Sequence, residues 1–252
     1  MVNWIRNLKI LLILVRRDYA MQYAGAALGS LWFLIQGFLL LLLYIFIADG
    51  IAIFRGGSST RNVPFIISGI LFWIPIQEMI QKSTTILTEN RSIIKKSGIG
   101  LDIFYLIPIL QMLIHIFILS IPSFLYMILM NKFNIYSILV YPWMIFTAFY
   151  LYPFLRYLSM SNVLLKDISP IIRLFLQFGF WTLPIIYFPP SNWANILQYH
   201  PLLPFLEIFR AILLPEYFIQ LDYMKIIIYF IISYIFLKIT SLKFKKMIPD
   251  HL

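Results

Sequence analysis

Residues 19–48 read YAMQYAGAALGSLWFLIQGFLLLLLYIFIA, thirty positions without one charged side chain. A helix of about 20 apolar residues crosses a bilayer. A soluble helix of this length would keep a polar stripe, and this one has none. The same absence of charge recurs from Ile103 to Asn131, from Phe133 to Leu155 and from Leu174 to Leu206. The remaining charges fall in short clusters between these runs. The chain therefore reads as an all-α polytopic membrane protein.

Composition agrees with that reading. Of 252 residues, 62% are hydrophobic, and the mean hydropathy is +0.88. Once about six spans are drawn, no stretch is left for a soluble catalytic domain of ordinary size. There is no cysteine, which excludes thiol chemistry, disulfides and thiolate metal sites. His115, His200 and His251 are far apart and have no metal-ligand spacing. The net charge is +10. Because the cations flank apolar runs, membrane orientation and anionic lipid headgroups explain them better than nucleic acid.

Along the chain, residues 3–22 predict an amphipathic helix lying at the membrane interface. Ile5, Leu8, Leu12, Val15 and Tyr19 recur at spacings of three and four, with Arg6, Lys9 and Arg16 elsewhere on the circumference. A basic leader before the first span is the plainer alternative. Arg16-Arg17-Asp18 stands where a signal peptide would carry small residues, so the segment is expected to be retained. Spans are predicted at 28–48, 64–87, 103–130, 135–157, 171–187 and 226–242. Residues 188–221 stay apolar but are broken by Pro189, Pro190, Pro201, Pro204 and Pro215. They are expected to dip back into the membrane as a re-entrant pair. With the N-terminus in the cytoplasm, fifteen of the 20 Lys and Arg fall on inside segments. Six spans with both ends inside follow from that excess. No internal repeat is visible, which argues against inverted-repeat transporters.

Chemistry-bearing residues are few. No glycine is followed by lysine, so the chain lacks the phosphate-cradling Gly-Lys-Ser/Thr turn, and ATP-driven work would need a second polypeptide. Glu78 and His115 are the ionisable groups deepest in predicted spans, which makes them candidates for a relay. Lys82 lies one turn beyond Glu78, so a local ion pair is the alternative. His115 alone would serve as a hydrogen-bonding group between helices. On helical phase, Gly29, Phe33, Gln36, Leu40 and Tyr44 share one face of the first span. Phe175, Phe178 and Thr182 share a face of the fifth, with Trp181 close by. For each aromatic, packing or lipid contact is the plain reading. Together they suggest flat faces on which a sugar ring slides.

In this order along the chain, Arg17-Asp18, Tyr23, Leu28-Gly29 and Trp32 resemble the opening of ABC-2 type permeases that export lipid-linked polysaccharides. That family comprises the O-antigen, capsule and teichoic acid exporters. Gly69 to Trp73, Asn90 to Lys96, Lys166-Asp167-Ile168 and Trp181 with Pro184-Ile185 and Tyr187 continue the resemblance. Trp193, Pro201-Leu202 and Phe209-Arg210 complete it. The matches cover most of the chain. It departs from the pattern at Gly37, where proline is usual, at His200 in place of asparagine, at Lys166 in place of arginine, and in lacking Phe-Pro around Ser97 to Leu101. The resemblance implies a homodimer enclosing a pore, and two ATPase subunits that hold the ATP and magnesium. It implies coupling through Asn90, Arg91, Lys95 and Lys96, and an outer gate containing Trp193, Pro201, Phe209 and Arg210. Arg6, Arg16 and Arg17 are then expected at the pyrophosphate or lipid headgroup. Phe33, Tyr44, Phe175, Phe178 and Trp181 are expected to line the pore. The expected location is the bacterial plasma (inner) membrane. Export of a small amphiphile or drug, or a membrane-embedded enzyme acting on polyprenyl lipids through Glu78, Glu89, Asp102 and Asp167, are the competing readings.

Overall fold

The structure, a computed structural model, describes residues 2–29, 31–54, 63–187, 196–216 and 223–244; the side chains of residues 2–5, 33, 34, 41, 45, 48–54, 97, 223 and 239–244 lie outside the description. Among the described residues there is no strand. The helices are α1 (Val2–Gln22), α2 (Leu31–Phe54), α3 (Val63–Glu89), α4 (Arg91–Ser97), α5 (Leu101–Leu129), α6 (Val140–Leu164), α7 (Ile168–Thr182), α8 (Leu203–Leu213) and α9 (Tyr223–Phe244). A 3-10 turn over Ile135–Leu139 leads into α6.

Among the described residues, three stretches are long and apolar enough to cross a membrane: Val63–Glu89, Leu101–Leu129 and Ile135–Leu164. At about 1.5 Å per residue, the 29 residues of α5 extend about 43 Å, more than the roughly 30 Å of a hydrocarbon core. Apolar side chains lie on the outer surface as well as in the core. Phe117, Ile121, Leu125, Ile128 and Leu129 of α5 point outward, while Ser68, Ser83, Thr84, Ser120, Ser123, Thr147 and Ser159 are buried. These hydroxyls return a hydrogen bond to a carbonyl three or four residues back, as in Ser68 to Phe65 O at 2.7 Å and Thr147 to Trp143 O at 2.9 Å. A hydroxyl satisfied by its own helix costs little in lipid and lets neighbouring backbones approach.

The connection after α5 shows how the sequence ends a span. Asn131 adopts φ 54, a left-handed conformation that Asn tolerates. Lys132 N–H then reaches back to Met127 O at 2.8 Å and closes the last turn. Pro75, Pro108, Pro122 and Pro153 all lie inside helices rather than ending them. In lipid, neighbouring helices and hydroxyls compensate for the lost N–H.

The large core joins α3, α5, α6 and α8, with α3 in the middle: Ile67, Ile70, Leu71, Phe72 and Ile76 are all but fully buried. A second cluster sits at one end of the bundle. There Leu11, Leu14 and Val15 of α1 pack on Ile86, Leu87, Phe104, Tyr105, Ile107 and Met160. This is the buried stripe of an amphipathic helix, and Arg6, Lys9 and Arg16 are on the exposed side. Of the residues that suggested the stripe, the Ile5 side chain lies outside the description, Val15 is buried, Tyr19 is half-buried, and Leu8 and Leu12 are exposed, so the packing face is rotated from the predicted one.

Three helices differ from their predicted spans. The predicted 28–48 span is helical over Leu31–Phe54, starting later and running further. The predicted 135–157 span continues to Leu164, with Pro153 inside it. The predicted 171–187 span is helical only over Ile168–Thr182, about 22 Å at 1.5 Å per residue, and residues 183–187 leave the helix. Of the predicted re-entrant segment, α8 is described, while 188–195 and 217–221 lie outside the described residues. α7 approaches α3 at Gly179, where an added Cβ would stand 2.7 Å from the Trp73 ring. Trp73 is buried and rigid, so Gly179→Val is expected to cost about 1–3 kcal/mol. A lowered thermal midpoint in detergent would register it, and an unchanged midpoint would show that α7 does not rest on Trp73.

Candidate functional site

Beyond Ile76, α3 turns from apolar to polar without ceasing to be a helix. Glu78, Gln81, Lys82, Thr85 and Glu89 recur at helical spacing and present one polar face. α5 brings Gln111 and His115, one turn apart, to the same space. α2 brings Gln36 and Leu40, again one turn apart. The end of α1 adds Tyr19 and Gln22, Tyr23 follows it, and α7 contributes Arg173. Together with neighbouring apolar side chains they line a half-open cavity of about 870 Å³.

Lys82, Glu78 and Glu89 are all paired, two of the pairs crossing between helices and one running along α3. Lys82 Nζ lies 2.8 Å from Asp18 Oδ2 and 2.6 Å from Glu89 Oε2. Gln111 Nε2 donates to Asp18 at 2.6 Å. Asp18 is nearly buried and so ties α1 to both α3 and α5. Glu78 contacts His115 Nδ1 across the α3–α5 boundary. The local Glu78–Lys82 pair expected from their spacing is not formed. Asp18, 64 residues earlier in the chain, offers Lys82 a more buried carboxylate, and Glu78 turns to α5 instead. Burial raises the Tyr19 hydroxyl above its ordinary value, with Glu78 adding to the effect. Gln81, which also borders the cavity, donates through Nε2 to Ser169 Oγ at 3.2 Å, and Ser169 N–H donates to Asn162 Oδ1 at 3.0 Å. This holds α7 against α3 and α6.

The residues singled out from the sequence separate into several places. Arg6 and Arg16 are exposed on α1. Arg17 is not: it donates to the Asn90 side chain, whose Nδ2 in turn donates to Ile86 O at 2.7 Å. Asn90 is buried, so it braces the α3–α4 junction from within, while Arg91, Lys95 and Lys96 are exposed on α4. Tyr44 is half-buried and packs on Phe180, with ring centroids 5.6 Å apart. Phe175, Phe178 and Trp181 are 64%, 60% and 63% exposed, on the outer surface of α7 and not in the cavity. The Phe33 side chain and Trp193 lie outside the described residues. Pro201 is exposed at the turn before α8. Phe209 and Arg210 are buried; Phe209 packs on Phe72, and the Arg210 guanidinium lies 3.7 Å over the Phe65 ring.

Sequence reasoning missed Asp18 and Gln111 as site residues, and helical phase places Gln36 only on a face of the first span. The available signal was the side-chain type: an amide or carboxylate within an otherwise apolar run needs a partner inside the protein. Among the described residues, no group of three or more His, Asp or Glu could hold a metal ion.

No protein-family model matches this chain, and no curated protein matches it. Fold and site together define an all-helical, membrane-embedded protein with a charge-paired polar cavity among its apolar helices.

Proposed function

We propose that the chain is the passage-forming membrane subunit of an ATP-driven exporter of the ABC-2 type, and that its cargo is a lipid-linked polysaccharide. The cavity is the observation that carries this reading. Charged and amide side chains among membrane helices are costly, and they persist where a polar solute binds or passes. The sequence resemblance supplies the family, and the lack of a phosphate-binding glycine turn assigns ATP and magnesium to a partner. Six crossings are assigned to α2, α3, α5, α6 with its leading turn, α7 and α9, with both termini in the cytoplasm of a bacterial cell and the chain in its plasma membrane.

In this reading two copies pair as a homodimer. The outward aromatics Phe175, Phe178 and Trp181 then face a shared passage rather than lipid, which gives their exposure a use. Two ATPase subunits meet α4, where Lys95 and Lys96 are exposed beside the braced Asn90. Arg6 and Arg16 on the outer side of α1 attract the anionic pyrophosphate of the cargo. The cavity volume lies in the range of small-molecule sites, which favours export of a small amphiphile as the second reading.

One experiment separates them. Cells deprived of the chain are expected to accumulate lipid-linked glycan on the cytoplasmic face and to lose surface polysaccharide. Normal surface polysaccharide would reject the first reading and leave the second. Charge reversal of both Lys95→Glu and Lys96→Glu is expected to reduce export about tenfold or more while the chain still reaches the membrane, measured by surface glycan staining.

A further inference from the structure

We infer that Glu78 and His115 form a proton-binding site at the middle of the bundle, and that its occupancy fastens α3 to α5. The ligand is a single proton, and the inference does not depend on what the cavity carries.

The pair lies where a charge is hardest to keep. His115 is the middle residue of α5, and Glu78 stands two positions past the middle of α3. The imidazole is 3% exposed, so neither lipid nor bulk water surrounds it. α2 passes close by: a Cβ on Gly37 would stand 2.8 Å from Leu119 and 3.8 Å from His115 Nε2. His115 Nδ1 meets Glu78 Oε2 across the α3–α5 boundary. A neutral ring can donate its Nδ1–H to the carboxylate, but the carboxylate's charge then stays unmatched. A ring protonated on both nitrogens turns the same contact into an ion pair. The Glu78 side chain is 51% exposed and borders the cavity, which gives the proton a wet route to the ring.

The surrounding charges leave a place for one more proton. From α1, Asp18 accepts from Lys82 and Gln111, while Arg17 turns away to Asn90. Tyr19 and Tyr23 face the cavity as uncharged phenols, and α2 brings only the uncharged Gln36, Gly37 and leucines. α3 supplies Glu78, Lys82 and Glu89, and α7 supplies Arg173. Among the described residues, none from α6 lines the cavity. The carboxylates of Asp18, Glu78 and Glu89 therefore face only two cations, and Lys82 is already shared at 2.8 Å with Asp18 and 2.6 Å with Glu89. A proton on His115 brings the whole group to zero net charge, and an unmatched charge inside a bundle is costly. Imidazole changes charge between about pH 5 and 8. Below that range the ring is charged and the clamp is closed. Above it Glu78 is left to Lys82, one turn along its own helix.

The full-length protein, with its histidines nitrogen-15 labelled, is placed in phosphatidylcholine nanodiscs. There are three histidines, so His200→Gln and His251→Gln assign the other two ring signals and identify His115 without altering the site. Its ring is expected to pass from doubly protonated at about pH 5 to singly protonated at about pH 8. A ring that keeps one protonation state throughout would overturn the proposal. Thermal midpoints of Glu78→Gln, His115→Gln and the double variant then measure the coupling. At about pH 5, Glu78→Gln is expected to lower the midpoint by about 4 °C when His115 is present and by less than about 1 °C when it is replaced. At about pH 8 the loss is expected to stay below about 1 °C in both backgrounds. An equal loss at the two pH values with His115 present would show an ordinary hydrogen bond and reject the proton site, whatever the ring signal does. The export reading is decided by surface polysaccharide in cells lacking the chain, so the two fail independently.

Discussion

Arg210→Leu is expected to lower the thermal midpoint of the purified protein by about 10 °C, with Gly69→Val doing the same from the opposite side of one contact. Arg210 is 2% exposed, and its Nη2 donates to Pro184 O at 2.6 Å and to Ile185 O at 2.8 Å. Those carbonyls belong to the stretch where α7 has stopped being a helix, so they have no intrahelical partner. The guanidinium plane also covers the Phe65 ring on α3. A leucine fills the volume but leaves two buried carbonyls unpaired, at about 1–3 kcal/mol each. Gly69 is why the arrangement fits. A Cβ there would overlap Ile185 O and stand 2.8 Å from Arg210 Nη2. The loss of about 3 kcal/mol expected from either variant corresponds to roughly 6–12 °C for a chain of this size. Arg210→Lys keeps a donor but loses the flat stack on Phe65, so it is expected to fall between wild type and Arg210→Leu. Equal midpoints for Arg210→Leu and wild type would show that the α7–α8 corner stands without its cation. Size-exclusion profiles of heated samples are sufficient to measure all three.

The same corner shows what a linear reading reaches and where it stops. Uncharged runs announce the long helices: the 103–130 span is found as Leu101–Leu129, and the tight connection at Asn131-Lys132 is the turn that closes it. A run of apolar residues, however, does not say where a helix gives way. The expected span through Tyr187 ends at Thr182 because Pro184 supplies no N–H and because Arg210, 26 residues onward, takes the freed carbonyls. The polar site was visible only in part. Glu78 and His115 stood out as charges within apolar sequence. Their mutual contact depends on how α3 packs on α5, and the transfer of Lys82 to Asp18 on α1 folding back along the end of the bundle. Helical phase correctly put Gln36 and Leu40 on one face of α2, which borders the cavity. It grouped Gly29 with them, although Gly29 lies in a turn with φ 51 before the helix begins. Gln111 gave no periodic signal, since one amide on a 29-residue apolar helix looks the same whether it faces lipid or a partner.

Asp18→Ala is expected to free α1 from the bundle end, and the effect should be large because one carboxylate serves two neighbours. Asp18 accepts from Lys82 on α3 and from Gln111 on α5, while the adjacent Arg17 reaches Asn90 at the α3–α4 junction. Removing the carboxylate leaves Lys82 with only the more exposed Glu89 and leaves the Gln111 amide without its acceptor. A fully buried pair broken on one side costs about 3–5 kcal/mol. Lys82 is about a quarter exposed, and water recovers part of that, so about 2 kcal/mol is the working figure. A single thiol can read the outcome. Val15→Cys is 3% exposed at its parent position and is expected to be inert to a soluble maleimide. In the Asp18→Ala background its alkylation is expected to accelerate at least tenfold. Pairing Asp18→Ala with Lys82→Met removes the stranded cation and is expected to restore part of the protection, because the penalty lies in the unpaired charge as well as in the lost contact. If the thiol stays inert in Asp18→Ala, the apolar stripe holds α1 unaided and the polar clamp serves the cavity alone. If it becomes reactive and the double variant reacts faster still, Lys82 holds α1 through a group other than Asp18. Since Arg17 and Asn90 join the same helix to α4, the clamp also mechanically links the base of the cavity to the surface assigned to the ATPase. On the proposed exporter reading, export by Asp18→Ala is expected to fall about tenfold or more with the chain still in the membrane, and surface glycan staining would show it.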